Sequence, residues 1–159
     1  MADMLVKLYT LPGAEVEIAA QERQGIVIKR AIAPEKNTIL AWVKEQFNTR
    51  WMSECDVSFK NSPPSCWIAV ENQQILGFAC YECTCKNFFG PIGISEAARG
   101  KKIGKALLLA CLNDMRVQGY GYAIIGAASD GVADFYRKTV GAITIEDSSP
   151  GIYKGMLRK

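Results

Sequence analysis

Histidine occurs nowhere in the 159 residues. That absence excludes a Ser–His or Cys–His nucleophile pair and any His-ligated metal, so proton transfer falls to Tyr, carboxylates, Cys, Lys or the backbone. Long apolar runs are missing too, and nothing approaches the roughly 20 residues of a membrane span. The start, "MADMLVKLYTLPGAEVEIAAQERQG", has no basic head before a long apolar stretch, and acids appear early, unlike a signal peptide. The net charge of +3 is too small to argue for nucleic acid. These absences lead us to expect a soluble, cytoplasmic protein with neither a nucleic-acid nor a membrane partner.

Cysteine is present six times, but in only one CxxC, the Cys80–Cys83 pair of "CYECTC". A zinc knuckle or redox pair is one reading of that spacing. With no second CxxC, and with Cys80, Cys83 and Cys85 in or beside a strand, packed thiols are the better reading. The expectation is therefore no metal. A chain that is 49% hydrophobic and 22% charged can bury one core, and no repeat or linker divides it.

The patterning alternates strands and helices. "MLVKLYTL" reads as a strand closed at Pro12-Gly13, "AEVEIAAQER" as a short helix, and "GIVIKRA" as a half-exposed strand. Ile39, Leu40, Val43 and Phe47 share one face of a helix that starts near Pro34. "NTRWMSECDVSFKNSPPS" has no clear period and is read as irregular, with at most a short helix near Trp51. "CWIAVENQQILGFACYEC" predicts a hairpin turning near Glu71 to Gln74, followed by the strand "FFGPIGI". A helix over "KKIGKALLLACLNDMRVQG", a buried strand "YGYAIIGAA" and a helix "DGVADFYRKTV" come next; "AITIED" and "GIYKGML" read as two final strands. One α/β domain with a mixed sheet is expected over residues 1–159, residues 1–24 being an N-terminal strand–helix extension.

The most informative stretch is "FFGPIGISEAARGKKIGKALLLACL". A helix N-terminus carries unpartnered N–H groups and partial positive charge. Gly100 and Gly104 let a ligand approach the backbone, and Arg99, Lys101, Lys102 and Lys105 add positive potential. This is either an anion site best suited to phosphate or a solvated basic turn. Just before it, Gly90, Pro91 and Gly93 weaken the strand's pairing and leave backbone groups for an extended ligand.

These residues resemble the GCN5-related N-acetyltransferase (GNAT) superfamily, which carries Q/R-x-x-G-x-G/A where a broken strand feeds a helix. Arg99-x-x-Lys102-x-Gly104 matches, with Lys102 in place of the first glycine. The substitution suits a helical backbone at Lys102 with the side chain turned outward. "VADFYRKTVGA" supplies Phe135, Tyr136, Lys138 and Gly141 of the family's later helix; Ser129 replaces the Asn often found seven residues before the Tyr. The element order is similar from about residue 25 to 157.

The resemblance implies a mixed, mostly antiparallel sheet flanked by helices, with acetyl-CoA held between splayed strands. It implies pantetheine pairing at Ile92, Gly93 and Ile94, and pyrophosphate held by Arg99 and by the backbone of Gly100, Lys101, Lys102, Ile103, Gly104 and Lys105. Ser129, Phe135 and Tyr136 complete the cofactor site. Tyr136 would serve the leaving CoA thiolate or only orient the cofactor. The base would be Glu82, with Glu54, Asp56 and a water chain as rivals. A covalent route through Cys80 or Cys83 would need an activator other than His. Trp51, Trp67, Phe88 and Phe89 would wall the acceptor pocket or simply pack. The expected function is direct acetyl transfer to an amine, small molecules ranking ahead of proteins as acceptor. A non-catalytic acetyl-CoA sensor is the alternative, and the resemblance allows a homodimer.

Overall fold

A computed structural model describes residues 1–158. Seven strands form one sheet: β1 (Met4–Lys7), β2 (Val27–Arg30), β3 (Cys66–Glu71), β4 (Gln74–Tyr81), β5 (Phe88–Ile94), β6 (Tyr122–Ile125) and β7 (Ile143–Thr144). Five helices flank it: α1 (Glu15–Glu22), α2 (Lys36–Gln46), α3 (Thr49–Ser58), α4 (Ile103–Val117) and α5 (Asp130–Val140). The spatial order is β2-β3-β4-β5-β6-β1-β7. Every neighbouring pair is antiparallel except β5 and β6. The mixed, mostly antiparallel sheet expected from the sequence is thus present. β1 lies inside it, between β6 and β7, with Met4 opposite both Ile125 and Thr144.

The β5–β6 pairing positions the site. The strands run parallel but pair only at Phe88–Ile124 and Phe89–Ile125. Beyond Phe89 the chain meets Gly90 (φ 123°) and Pro91, which has no N–H to donate, and the strands part. β5 keeps its other partner: Ile92, Gly93 and Ile94 remain opposite Ala79, Phe78 and Gly77 of β4. One edge of β5 therefore faces an open fork.

Two cores cover the two faces. On one, α4 packs with α1 and α5; its residues Ile103, Ala106–Leu112 and Met115 are all buried, so it is the apolar axis of the domain. On the other, α2 and α3 cover β3 and β4 through Ile39, Val43, Cys55, Ile68 and Phe78.

Two segments depart from the sequence reading. The stretch after residue 48 is not irregular: α3 runs ten residues, and the Asn48 side chain caps it by accepting from Trp51 N–H at 2.8 Å. Asn48 was the available signal, masked by a polar, weakly periodic helix. "GIYKGML" is not a strand. Gly151 and Gly155 hold positive φ (57° and 79°), Gly151–Tyr153 forms a 3-10 turn, and the sheet ends at the two-residue β7.

Candidate functional site

Between the end of β5 and the start of α4 the chain makes the 3-10 turn Glu96–Ala98 and then two left-handed residues, Gly100 (φ 86°) and Lys102 (φ 65°, ψ 21°). Lys102 is the N-cap of α4, so the expected helical backbone at this position is replaced by a left-handed one. Such a conformation suits glycine and costs an L-residue about 1–2 kcal/mol. This is the physical reason a glycine belongs there, and Lys102 bears the strain. The first backbone bond closing onto the helix runs from Ala106 N–H to the Lys102 carbonyl, leaving the preceding amides at the helix mouth.

These amides border a cavity of about 290 Å³. The turn supplies Arg99, Gly100, Lys102, Ile103, Gly104 and Lys105; Ile94 of β5 and Phe135 and Thr139 of α5 complete the wall. A Cβ built on Gly104 would stand 3.7 Å from Phe135 and 3.9 Å from Ile94, so nothing in the fold forbids a side chain there except the use of the space. Among the described residues, only Lys105 of the four cations is ion-paired, to Glu17 of α1 at 3.1 Å. Gln21, also on α1 and 1% exposed, donates from Nε2 to the Lys101 carbonyl at 2.8 Å. The N-terminal helix thus ties down the turn, a role the sequence does not reveal. Thr139 was legible, one helical turn beyond Phe135.

Other predicted residues fall around this cavity rather than in it. Ile92 is half-buried against the α4 core. Gly93 faces the Phe47 ring, which would clash with any Cβ. Ser129 is exposed at the start of α5, and its side chain makes no capping bond. Tyr136 is 4% exposed and meets Phe89, the last paired residue of β5, edge to face at 6.3 Å between ring centres. Burial alone pushes its phenol up, so it keeps its proton at physiological pH.

The acids separate by environment. Glu82 lies opposite Phe88, on the closed side of the fork; its carboxylate accepts from Asn87 N–H at 3.0 Å and pushes the phenol of nearby Tyr120 up. Asp56 is held by Lys36 at 2.9 Å and Lys60 at 3.5 Å. Glu54 accepts from the Thr84 hydroxyl and has no ion pair among the described residues. It also acts on Tyr153, whose phenol is pushed up to about 12 by burial and by the charges of Glu54 and Asp3. The Tyr153 hydroxyl sits over Gly126, 2.6 Å from where a Cβ would be, just past the end of β6. Phe88 packs in the same place, while Trp51 and Trp67 belong to the walls of the two cores.

The forked mixed sheet with a basic helix N-terminus at its open end is the arrangement that the resemblance implies. Residues 62–139 match the family model described as an acetyltransferase (GNAT) domain. The resemblance to the GNAT superfamily is thus shown over residues 62–139. No curated protein matches it. Among solved structures, the glucosamine N-acetyltransferase region of a fungal multi-domain β-N-acetylglucosaminidase superposes with a TM-score of 0.72 at 14% identity, covering 91% of this chain and 19% of that one. A GCN5-related N-acetyltransferase from Sphaerobacter thermophilus gives 0.67 at 21% identity, covering 91% and 48%. A Brucella melitensis GNAT acetyltransferase in complex with acetyl-CoA gives 0.55 at 18%, covering 71% and 80%. At these identities the likeness is one of fold. The chain spans between 19% and 48% of the first three solved structures it matches. No helix among the described residues is long and apolar enough to cross a membrane.

Proposed function

We propose that the chain acts over residues 1–159 as one N-acetyltransferase domain, moving the acetyl group of acetyl-CoA directly to the amine of a small molecule. One observation carries this reading: the open edge of β5, the cavity at the α4 N-terminus and the buried Tyr136 all meet around a single fork. Pantetheine amides would pair with the free backbone of Ile92–Ile94. The pyrophosphate would lie on the amides of Gly100–Lys105, beside Arg99, Lys101 and Lys102. Phe135 packs the cofactor's flank, and Ser129 lies at the rim. With its phosphates there, the thioester reaches the fork near Phe89.

The amine attacks the thioester carbonyl, and the tetrahedral intermediate collapses with loss of CoA. As the C–S bond breaks, negative charge gathers on sulfur. The Tyr136 hydroxyl, adjacent to Phe89, donates its proton there. An alkylamine is mostly protonated at neutral pH, so a base must first take a proton from it. We do not assign that role to Glu82, because its carboxylate anchors the loop behind the fork through Asn87. We assign the role to Glu54, which has no cation of its own and acts on the Tyr153 that covers the end of β6. The negative charge gathered there favours a cationic acceptor.

The test is CoA-thiol release from acetyl-CoA across a panel of amines, including polyamines, amino acids and glucosamine, the acceptor type named for the fungal neighbour. Turnover with an amine, lost in Glu54→Gln, supports the proposal. Tight CoA binding with no turnover across the panel would favour a sensor.

A further inference from the structure

The cysteines gather where the sequence spacing does not point. Cys66 and Cys80 stand directly opposite each other in β3 and β4. Tyr81 N–H donates to the Ser65 carbonyl at 3.1 Å, so residues 65 and 81 form a hydrogen-bonded pair. Cys66 and Cys80 are thus the adjacent non-hydrogen-bonded pair, in which side chains approach most closely. Cys55 descends onto them from α3. The three Sγ atoms all lie within 4.8 Å of one another, and all three residues are 0% exposed. Their surroundings are apolar: Ile39, Val43, Ile68 and Phe78 share the same core.

We propose that Cys55, Cys66 and Cys80 form a three-coordinate site for a soft monovalent cation of the Cu(I) class. Three sulfurs in a plane around a metal at about 2.3 Å stand about 4 Å apart, within reach of the separations seen here. The donor set is sulfur alone, which selects soft d10 ions over magnesium, calcium or manganese. Zinc closes its structural sites with four ligands. The remaining nearby sulfur, Cys83, lies outside the trio and donates its S–H to the Tyr81 carbonyl at 3.3 Å. Binding releases a proton for each thiol that becomes a thiolate. The site lies on the α2–α3 face, and its presence does not depend on acetyl transfer.

The experiment uses the full chain, reduced under anaerobic conditions and titrated with Cu(I) against bathocuproine disulfonate. The expected result is one Cu(I) per chain, with ultraviolet thiolate-to-Cu(I) charge-transfer absorption. Cys55→Ser and Cys80→Ala should each weaken retention at least tenfold, while Cys85→Ser keeps it. X-ray absorption of the Cu(I)-loaded unmutated protein covers the case in which a variant fails to fold: three sulfur neighbours at about 2.3 Å are expected, and fewer sulfurs or a light-atom shell would overturn the proposal. Failure to compete with the probe, preference for Zn(II), or a Cys55→Ser variant that binds like the parent would overturn the proposal.

Discussion

The two faces of the sheet carry different candidate sites, and they differ in how each is encoded. Under α4 and α5, the candidate cofactor site is assembled from neighbours in sequence: residues 94–105, then Phe135 and Thr139. Under α2 and α3, the sulfur cluster draws single residues from a helix and two strands, Cys55, Cys66 and Cys80. The first is a local device, made by a turn feeding a helix. The second exists only once strand register and helix docking are fixed. A charged tie near the far end of α4 fastens that helix to β2, β3 and β4: Asp114 accepts from Arg30 at 2.8 Å, Trp67 Nε1 at 2.8 Å and the Tyr81 hydroxyl at 2.9 Å.

Changes on the cofactor face should alter binding and turnover without unfolding the chain. The largest expected effect is Tyr136→Phe. It removes one proton donor and keeps the ring against Phe89, so turnover should fall about 10- to 1,000-fold with only a few-fold change in acetyl-CoA affinity. Single-turnover kinetics separates the two; lost binding with preserved chemistry would make Tyr136 a cofactor-positioning residue.

The tie should behave in the opposite way. Asp114→Ala removes the acceptor of three donors and leaves the Arg30 guanidinium, which also stacks on Trp67, without its partner. A loss of about 2–3 kcal/mol is expected, lowering Tm by roughly 4–12 °C with CoA affinity of the folded protein unchanged. A weakened CoA site at full stability would erase the distinction between the tie at one end of α4 and the cavity at the other.

The smallest effect sharpens the account of the turn. Lys102→Gly exchanges a strained left-handed residue for one without a Cβ. Relief of about 1–2 kcal/mol is partly offset by the added freedom of glycine in the unfolded chain, roughly 0.5–1 kcal/mol. A net stabilisation below about 1.5 kcal/mol should appear in the denaturation midpoint, together with a modest loss of CoA affinity from the missing cation. Destabilisation would mean that the left-handed backbone costs nothing here.

This contrast also explains how far the sequence could be read. The broken strand, the helix mouth and Gly104 were legible because glycine, proline and helix-terminal chemistry act over a few residues, whereas Tyr136 came only from the resemblance. Gln21, which holds the Lys101 carbonyl from 80 residues away, was not, because a lone buried amide has no sequence signature. Glu82 looked available at a strand end, yet its backbone is left-handed (φ 59°) and its carboxylate closes the 82–87 loop. Asn48 was readable as a cap but preceded a helix with little apolar stripe. The final strand failed because two glycines with positive φ outweigh an apolar alternation.

The central claim is that the space beside Gly104 holds the pyrophosphate of CoA. Calorimetric titration of CoA into the parent protein and into Gly104→Val tests it directly. A Cβ at this position meets only ordinary contacts, and the two γ-methyls of valine add bulk beside the cavity. The account predicts one CoA per parent chain and an affinity at least tenfold weaker in the variant, about 1.4 kcal/mol, with unchanged circular dichroism. Equal CoA affinity in the two folded proteins would contradict it.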